Sequence, residues 1–375
     1  MSGYELRRLE PELLEQAAEL VSSVRGGTLE QHIAHYDWKY LHNPYIAEPI
    51  MHVALRGGRA VGMRGFYGTC WENGAGGQRY VFPAASDSTI LAEHRDGKLY
   101  RALGEAMLED AASRGFTHLL NLSASPQTAL TAMLQFGWKG IGPREVMATR
   151  ATTKGPRARG LRRLVPAPAR ALIRRGRGRL ISDPGRRAFA ALDRSELGRG
   201  SRSPTEIRLT SSPAELADIA RRSGGNARLR PARDDDFYRW KFSNPTRTYR
   251  FVVADDGAGR CGYLILCWKF LPCVFMLDWQ ATSTDLSDEL LATALSKGKL
   301  SAVSIWSAGL SPAELAILRA RGFAPLERTG IERRRQSLLV RPLANPEAVE
   351  SWVLDGIRLD VASSWDVRAT ASDFF

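Results

Sequence analysis

The most regular alternation of apolar and polar positions in the chain lies between Phe82 and Trp138. Two short apolar runs alternate there with two stretches in which apolar residues recur at helical spacing. The first of these stretches has its apolar positions at Leu99, Leu103, Ala106, Met107 and Ala111. Gly115 and Gly137 follow the two helical patterns and are typical helix ends. The pattern predicts strand, tight turn, helix, strand and helix in that order.

Weaker patterns before Phe82 predict a strand, two helices and three antiparallel strands. A Gly-Gly turn at Gly57 and Gly58 joins the first two of those antiparallel strands into a hairpin. The expected elements are a strand from Tyr4 to Leu9, helices from Glu10 to Leu20 and from Leu29 to Leu41, and strands from Met51 to Leu55, Ala60 to Tyr67 and Gln78 to Phe82.

The pattern of the first half returns in the second half, about 200 residues later. Three pairs of segments match in the same order: Tyr36 to Pro44 with Tyr238 to Pro245, Val53 to Gly62 with Val253 to Gly262, and Pro126 to Trp138 with Pro312 to Phe323. Such a repeat predicts two related lobes. We expect an N-terminal lobe over residues 1–150, a linker or insert over 151–204 and a C-terminal lobe over 205–375.

The basic turn from His94 to Lys98 precedes the first helical pattern directly. The N–H groups and the positive dipole end of a helix N-terminus favour a phosphate there. Gly97 permits a positive φ and a close backbone approach. A basic turn before a surface helix is also common, so the turn alone leaves both interpretations open.

Together with the order of elements around it, this turn resembles the core of the GNAT superfamily of acyl-CoA-dependent N-acyltransferases. That family has Arg/Gln-x-x-Gly-x-Gly/Ala at the turn; Arg95 matches its first position, whereas Lys98 and Tyr100 replace the two glycines. The resemblance, which includes bacterial tandem GNAT proteins, implies an α/β fold with a mixed sheet in each of two tandem lobes. The residues between the lobes predict a basic, helical insert. It also implies acetyl-CoA or another acyl-CoA as co-substrate. The cofactor-binding residues expected from it are Ile90, Leu91, Arg95, Gly97, Lys98, Leu99, Asn121, Ser123 and Ser125.

In this family an amine attacks the thioester directly, so the protein orients both reactants and assists proton transfer. Glu93 and His94 are the nearest candidate catalytic bases, followed by Asp87, Asp37 and Glu72; an exposed charge is the competing interpretation of each. The Tyr that the family usually places four residues before the closing Gly is replaced by Met133 in the first copy and Leu318 in the second.

The second copy lacks the basic turn. Residues 281–288 contain no Arg, Lys or Gly, and Asp285 and Asp288 would place negative charge at a helix N-terminus. We therefore expect the acyl-CoA site in the first lobe and a degenerate second lobe.

Composition narrows the remaining function classes. The hydrophobic share of 44% and the charged share of 25% are those of a globular protein. Cys70, Cys261, Cys267 and Cys273 form no CxxC pair, so no metal site is expected. Neither a signal peptide nor an apolar run of about 18 residues is recognisable, which predicts a cytoplasmic protein.

The net charge of +13 is concentrated in residues 151–200, which contain 14 Lys and Arg against 3 acidic residues. Pro166 and Pro168 favour two short helices over one long helix there. A solvated linker, a peripheral contact with an anionic membrane at its inner face through residues 154–199, and a polyanion contact all remain open. Leu161, Leu172 and other aliphatic residues among the arginines favour the membrane over a specific nucleic acid.

Three functions follow from these observations. The first is an acyl-CoA-dependent N-acyltransferase acting on a small amine, an amino sugar or a polysaccharide precursor. The second is a noncatalytic GNAT-like binding or regulatory protein, suggested by Lys98 and Met133. The third is a Fem-like transferase that takes aminoacyl groups from tRNA. The sequence does not indicate the oligomeric state.

Overall fold

A computed structural model describes residues 3–95, 97–143, 145–149, 184–194, 197, 205–223, 228–255, 261–268, 274–298, 300, 303–326 and 336–372. The chain forms two compact units. Unit 1 comprises Met1–Arg144, Pro213–Arg247 and Arg334–Phe375, and unit 2 comprises Glu145–Ser212 and Thr248–Arg333. Each unit is therefore assembled from separate stretches of chain, unlike the contiguous lobes expected from the repeat.

The described strands are β1 Glu5–Arg8, β2 Ile50–Arg56, β3 Arg59–Asn73, β4 Arg79–Ile90, β5 His118–Ala124, β6 Lys139–Pro143, β7 Val146–Thr149, β8 Glu206–Thr210, β9 Leu229–Pro231, β10 Thr248–Asp255, β11 Cys261–Trp268, β12 Val274–Ala281, β13 Val303–Trp306, β14 Phe323–Pro325, β15 Ser337–Pro342, β16 Val353–Leu354 and β17 Ile357–Arg358. The described helices are α1 Pro11–Arg25, α2 Leu29–Tyr36, a π-helical turn Asp37–Leu41, α3 Lys98–Ser113, α4 Pro126–Phe136, α5 Pro184–Arg194, α6 Pro213–Arg222, α7 Asp235–Phe242, α8 Thr284–Lys297 and α9 Pro312–Ala320.

The sheet of unit 1 has the strand order β1-β2-β3-β4-β5-β15-β6, and β9 pairs with β3. Neighbouring strands of this sheet are antiparallel, except for β4 and β5, which are parallel. Helices α3 and α4 bury their apolar faces against this sheet. The resulting core contains Phe66, Met107, Leu119, Phe136 and Leu339.

The sheet of unit 2 has the order β8-β10-β11-β12-β13-β7-β14. This is the same sequence of strands that unit 1 shows, with β12 and β13 as the parallel pair. The two units thus repeat one topology, as the internal repeat predicts.

The two repeats exchange one strand, so neither sheet is built from a single repeat alone. β15, from the C-terminal part of the chain, lies between β5 and β6 in unit 1. β7, from the N-terminal part, lies between β13 and β14 in unit 2. Each sheet therefore takes one interior strand from the sequence of the other repeat.

The matched segments around Trp38 and Trp240 both belong to unit 1. Their rings stack with centroids 4.9 Å apart. Trp38 Nε1 donates a hydrogen bond to the Trp240 carbonyl oxygen at 2.7 Å, and Trp240 Nε1 donates to the Trp38 carbonyl oxygen at 3.0 Å. This reciprocal pair explains why both copies carry Trp at this position.

The expected basic insert is described only at its C-terminal end. Residues 150–183 lie outside the described residues, and nothing tests the expected helices there. Helix α5 belongs to unit 2, where Phe189, Leu192 and Leu197 are buried in the core. At least this end of the segment is part of a folded unit and not a linker.

Candidate functional site

The parallel strands β4 and β5 pair at one position, between Ala84 and Leu120. Among the described residues, β4 and β5 form no further backbone pairing toward their C-terminal ends. A cavity of about 270 Å³ lies there, and we call it the strand cavity. It is lined by Arg25, Arg64, Ala85, Ser86, Asp87, Ser88, Asn121, Ser123, Ala124, Ser125, Thr128 and Gln336.

A β-bulge distorts β4 beside this cavity. Met63 pairs with Thr89 and Gly65 with Ser86, so the two residues Asp87 and Ser88 lie opposite the single residue Arg64. Asp87 has a φ of 50°, which residues other than Gly adopt rarely. Bulges and strained residues of this kind bend a strand and are frequent at functional sites.

Asp87 is held by a buried network on the α2 side of the sheet. Lys39, which is fully buried, contacts the Asp87 carboxylate and the Ser86 hydroxyl. Tyr40 donates a hydrogen bond to Asp87 Oδ2 at 2.9 Å, and an Arg25 nitrogen lies 3.6 Å from Oδ1. Burial opposes ionisation of Asp87, but the charges of Lys39 and Arg25 outweigh it and lower the pKa of this carboxyl below its usual range.

A second cavity, of about 410 Å³, lies at the N-terminus of α3, and we call it the helix cavity. Its lining residues are Val24, Arg25, Ser88, Thr89, Ile90, Arg95, Gly97, Tyr100, Gln127, Thr128, Thr131 and Gln135. Arg25, Ser88 and Thr128 line both cavities, so the two are neighbours. Gly97 caps α3 with a φ of 83°, and no carboxylate occupies the first turn of the helix.

Most of the cofactor-binding residues expected from the sequence lie at these cavities. Ile90, Arg95 and Gly97 line the helix cavity, and the Arg95 side chain donates to the Ile90 carbonyl oxygen at 2.8 Å. Asn121, Ser123 and Ser125 line the strand cavity. Leu99, Leu91 and Lys98 line neither cavity: Leu99 packs in the core beside Leu91, and Lys98 is exposed.

The two proposed catalytic residues are not at the cavities. Glu93 is exposed in a 3₁₀ turn, Ala92–His94, and lines neither cavity. His94 is buried because its Nδ1 hydrogen-bonds the Tyr4 hydroxyl at 2.9 Å and its ring packs edge-on against Tyr4. The short turn places His94 against Tyr4, the residue before β1.

The other candidate bases have structural partners. Glu72 forms a buried ion pair with Arg230 at 2.8 Å, and Asp37 lies 3.2 Å from the His42 ring. Met133, at the position where the family usually has Tyr, is 46% exposed on α4 and lines neither cavity.

Sequence reasoning named Asp87 but missed the cations at the strand cavity, which are Arg25 and Arg64 in its lining and Lys39 behind Asp87. Lys39 belongs to the repeated segment from Tyr36 to Pro44, and it is buried beside Asp87. Arg64 interrupts the otherwise apolar run from Ala60 to Tyr67, which is a recognisable signal for a charged group held in the interior. Arg25 carries no signal, because it ends an ordinary amphipathic helix.

Unit 2 carries a large aromatic side chain on the equivalent strand of its parallel pair. Trp279 on β12 is fully buried in the core, and its Nε1 donates to the Ser287 carbonyl oxygen of α8 at 3.1 Å. α8 begins at Thr284, with Asp285 in its first turn; Asp288 pairs with Arg321.

Within the described part of the chain, no group of three or more His, Cys, Asp and Glu side chains could hold a metal ion. Every helix in these ranges falls short of the length and apolarity that crossing a bilayer requires.

Comparison with protein-family models and with curated proteins finds no match. Solved structures do match. A GCN5-related N-acetyltransferase from Anabaena variabilis is 12% identical with a TM-score of 0.58, and a probable N-acyltransferase from Enterococcus faecalis is 12% identical with a TM-score of 0.57; each match covers 91% of this chain and 73% of the other. A tandem GNAT protein from the clavulanic acid biosynthesis pathway is 13% identical with a TM-score of 0.52, over 91% of this chain and 99% of its own. The chain therefore has the fold of tandem GNAT proteins.

Proposed function

We propose that this protein is an acyl-CoA-dependent N-acyltransferase with one acyl-CoA site, located in unit 1. The observation that supports it most is the pair of neighbouring cavities. Together they extend from the N-terminus of α3 to the gap between β4 and β5, and three residues line both. An elongated ligand with an anionic end and a reactive end fits this arrangement.

The anionic end of the donor would lie in the helix cavity. The positive dipole end of α3 and the side chains of Arg25 and Arg95 favour the CoA phosphates there. Gly97 leaves open space, since no atom lies within 4 Å of the point that a Cβ would occupy at this position. The pantetheine arm would then pass Ser88 and Thr128, and the thioester would reach the strand cavity.

The chemistry at the strand cavity is direct transfer. The amine nitrogen bonds to the thioester carbon, the carbon–sulfur bond breaks, the CoA thiolate leaves and the nitrogen releases a proton. Asp87 is a weak base because its pKa is lowered, so we assign it to holding Lys39 and the bulge in place. Positioning of the two reactants supplies the acceleration, and the hydroxyls of Ser88 and Ser123 in the cavity lining pass the proton on to solvent.

The acceptor in this proposal is a small amine or an amino sugar, with acetyl-CoA as the first donor to test. A noncatalytic binding protein is the second candidate, because Glu93, His94 and Met133 all lie away from the cavities. Binding of acyl-CoA without turnover of any amine would favour it. Contact of residues 154–199 with an anionic membrane stays a prediction.

Substitution of Gly97 tests the donor site. We expect Gly97→Asp to weaken acetyl-CoA binding at least about tenfold, equivalent to about 1.4 kcal/mol, because it places a side chain and a negative charge beside the phosphates. Gly97→Asn adds a side chain of similar size without the charge and should weaken binding less. Isothermal titration calorimetry measures both.

Gly115→Asp is the matched control, at the other end of α3. Gly115 has a φ of 78° against 83° for Gly97, and a Cβ added at either position would have no atom within 4 Å. The two Asp variants therefore carry similar backbone strain. Equal affinities of Gly97→Asp and Gly115→Asp for acetyl-CoA would show that the donor site is elsewhere.

A further inference from the structure

Arg64 is a buried cation without a counter-ion among the described residues. Its side chain is on β3, the residue is 5% exposed, and it lines the strand cavity. Its Nη1 has no hydrogen-bond partner in the described part of the chain. The guanidinium lies instead over the ring of Tyr100, 4.4 Å from its centroid, and near the ring of Phe136 at 5.3 Å. Aromatic faces offset only part of the free energy of burying a charge.

Three other polar atoms at the two cavities are also buried without a hydrogen-bond partner among the described residues. They are the Tyr100 hydroxyl, the Thr89 hydroxyl and Gln336 Oε1. Tyr100 and Thr89 line the helix cavity and Gln336 lines the strand cavity. Buried polar groups without partners are rare in native proteins, so several at one place point to a polar ligand.

The charges around the strand cavity do not balance. Arg25 and Arg64 line it, Lys39 lies behind it, and Asp87 is the one carboxylate among its lining residues. Asp87 already contacts Lys39 and approaches Arg25. An anion is therefore the ligand group that these side chains favour.

The position of Arg64 indicates which substrate carries the anion. Gly62, two residues earlier on β3, packs against Leu99 and Leu103 of α3, and Arg64 likewise contacts Tyr100 of α3 and Phe136 of α4. Arg64 thus lies on the face of the sheet covered by α3 and α4. These are the helices that line the helix cavity, whereas Tyr40 lies against Gly65, on the opposite face, beside Lys39.

We propose that Arg64 binds a carboxylate at the free end of the donor's acyl group, so that the preferred donor is the CoA thioester of a dicarboxylic acid. This inference rests on the proposed acyltransferase function and narrows its donor. The planar guanidinium donates two parallel hydrogen bonds to a carboxylate, and the low polarity around Tyr100 and Phe136 strengthens that pair. An acetyl group leaves Arg64 without a partner.

Calorimetric titration of CoA, acetyl-CoA and succinyl-CoA into the whole protein tests the inference. The wild type should bind succinyl-CoA at least about tenfold more tightly than acetyl-CoA, as expected for a charge-assisted, bidentate pair. Arg64→Met should abolish that difference, because it weakens binding of succinyl-CoA much more than binding of acetyl-CoA. Arg64→Lys should restore part of the difference, because it keeps the charge but not the fork.

Arg59→Met is the control, since Arg59 is exposed on the same strand and should keep the wild-type preference. Thermal unfolding checks the fold: Arg64→Met should not lower the midpoint, because it removes an uncompensated buried charge. Equal wild-type affinity for acetyl-CoA and succinyl-CoA would overturn the inference and leave the proposed function standing. An equal loss for all three ligands in Arg64→Met would also overturn it, since Arg64 would then contact CoA itself. If none of the three binds the wild type, the proposed function fails as well.

Discussion

Residues 1–150 expressed alone should not form a stable folded lobe. Without β15 the sheet of unit 1 loses the strand that pairs with both β5 and β6, and two rows of backbone N–H and C=O groups lose their partners. The fragment also lacks Trp240, which stacks on Trp38, and Leu339, which is buried in the core. We expect the fragment to aggregate and to show no cooperative unfolding transition by circular dichroism. The full chain should unfold cooperatively in the same measurement.

Adding back the missing strand is the matched control. A single chain that joins residues 1–144, 213–247 and 334–375 through flexible linkers contains every segment of unit 1. It should recover a cooperative transition that the 1–150 fragment lacks. A fragment of residues 1–150 that folded cooperatively would show that the exchanged strand is dispensable and that the contiguous division is the better description.

Asp87→Asn should destabilise the protein by about 3 kcal/mol at neutral pH, because it leaves the fully buried Lys39 without its carboxylate. Asp37→Asn is the control: the Asp37 side chain is 45% exposed, so we expect a change of less than about 1 kcal/mol. Chemical denaturation of the whole protein measures both. In the double variant Lys39→Met with Asp87→Asn, part of the loss should return, because both members of the pair are gone.

The effect should depend on pH in a defined direction. The folded-state pKa of Asp87 is lowered from 3.8, so the stabilisation from its charge is complete above that value and is lost as the pH falls below it. The difference between wild type and Asp87→Asn should therefore be constant from about pH 6 to about pH 8 and shrink below about pH 4. A difference that kept its full size at about pH 2 would show that the ionised carboxylate does not stabilise the fold.

Local patterns in the sequence predicted most single elements of unit 1. The helix expected to begin at Glu10 begins at Pro11, although it continues beyond Leu20 to Arg25, and Gly137 ends α4 as expected. The helix expected from Leu29 to Leu41 is interrupted, since α2 ends at Tyr36 and a π-helical turn follows. The exchange of β7 and β15 has no local signal, because each strand has the same apolar character whichever sheet it joins.

The candidate site also contains residues with a local sequence signal and residues without one. Arg95, Gly97 and Ser125 follow from the local turn and from the resemblance; they line the two cavities, and their role in binding stays a prediction. Lys39, Arg64 and Asp87 come together only through strand register and a bulge, which the order of residues along the chain does not reveal. His94 was chosen for its nearness in sequence to the turn, but its hydrogen bond to Tyr4 takes it elsewhere.

One acyl-CoA molecule should bind in unit 1 between α3, β4, β5 and α4. Hydrogen–deuterium exchange of the whole protein with and without acetyl-CoA locates the site. We expect slower exchange in peptides covering residues 84–100 and 118–135, and no change in the repeat-related peptides at 274–297 and 303–320. Protection of the unit 2 peptides, or no protection at 84–100 and 118–135, would contradict this location of the site.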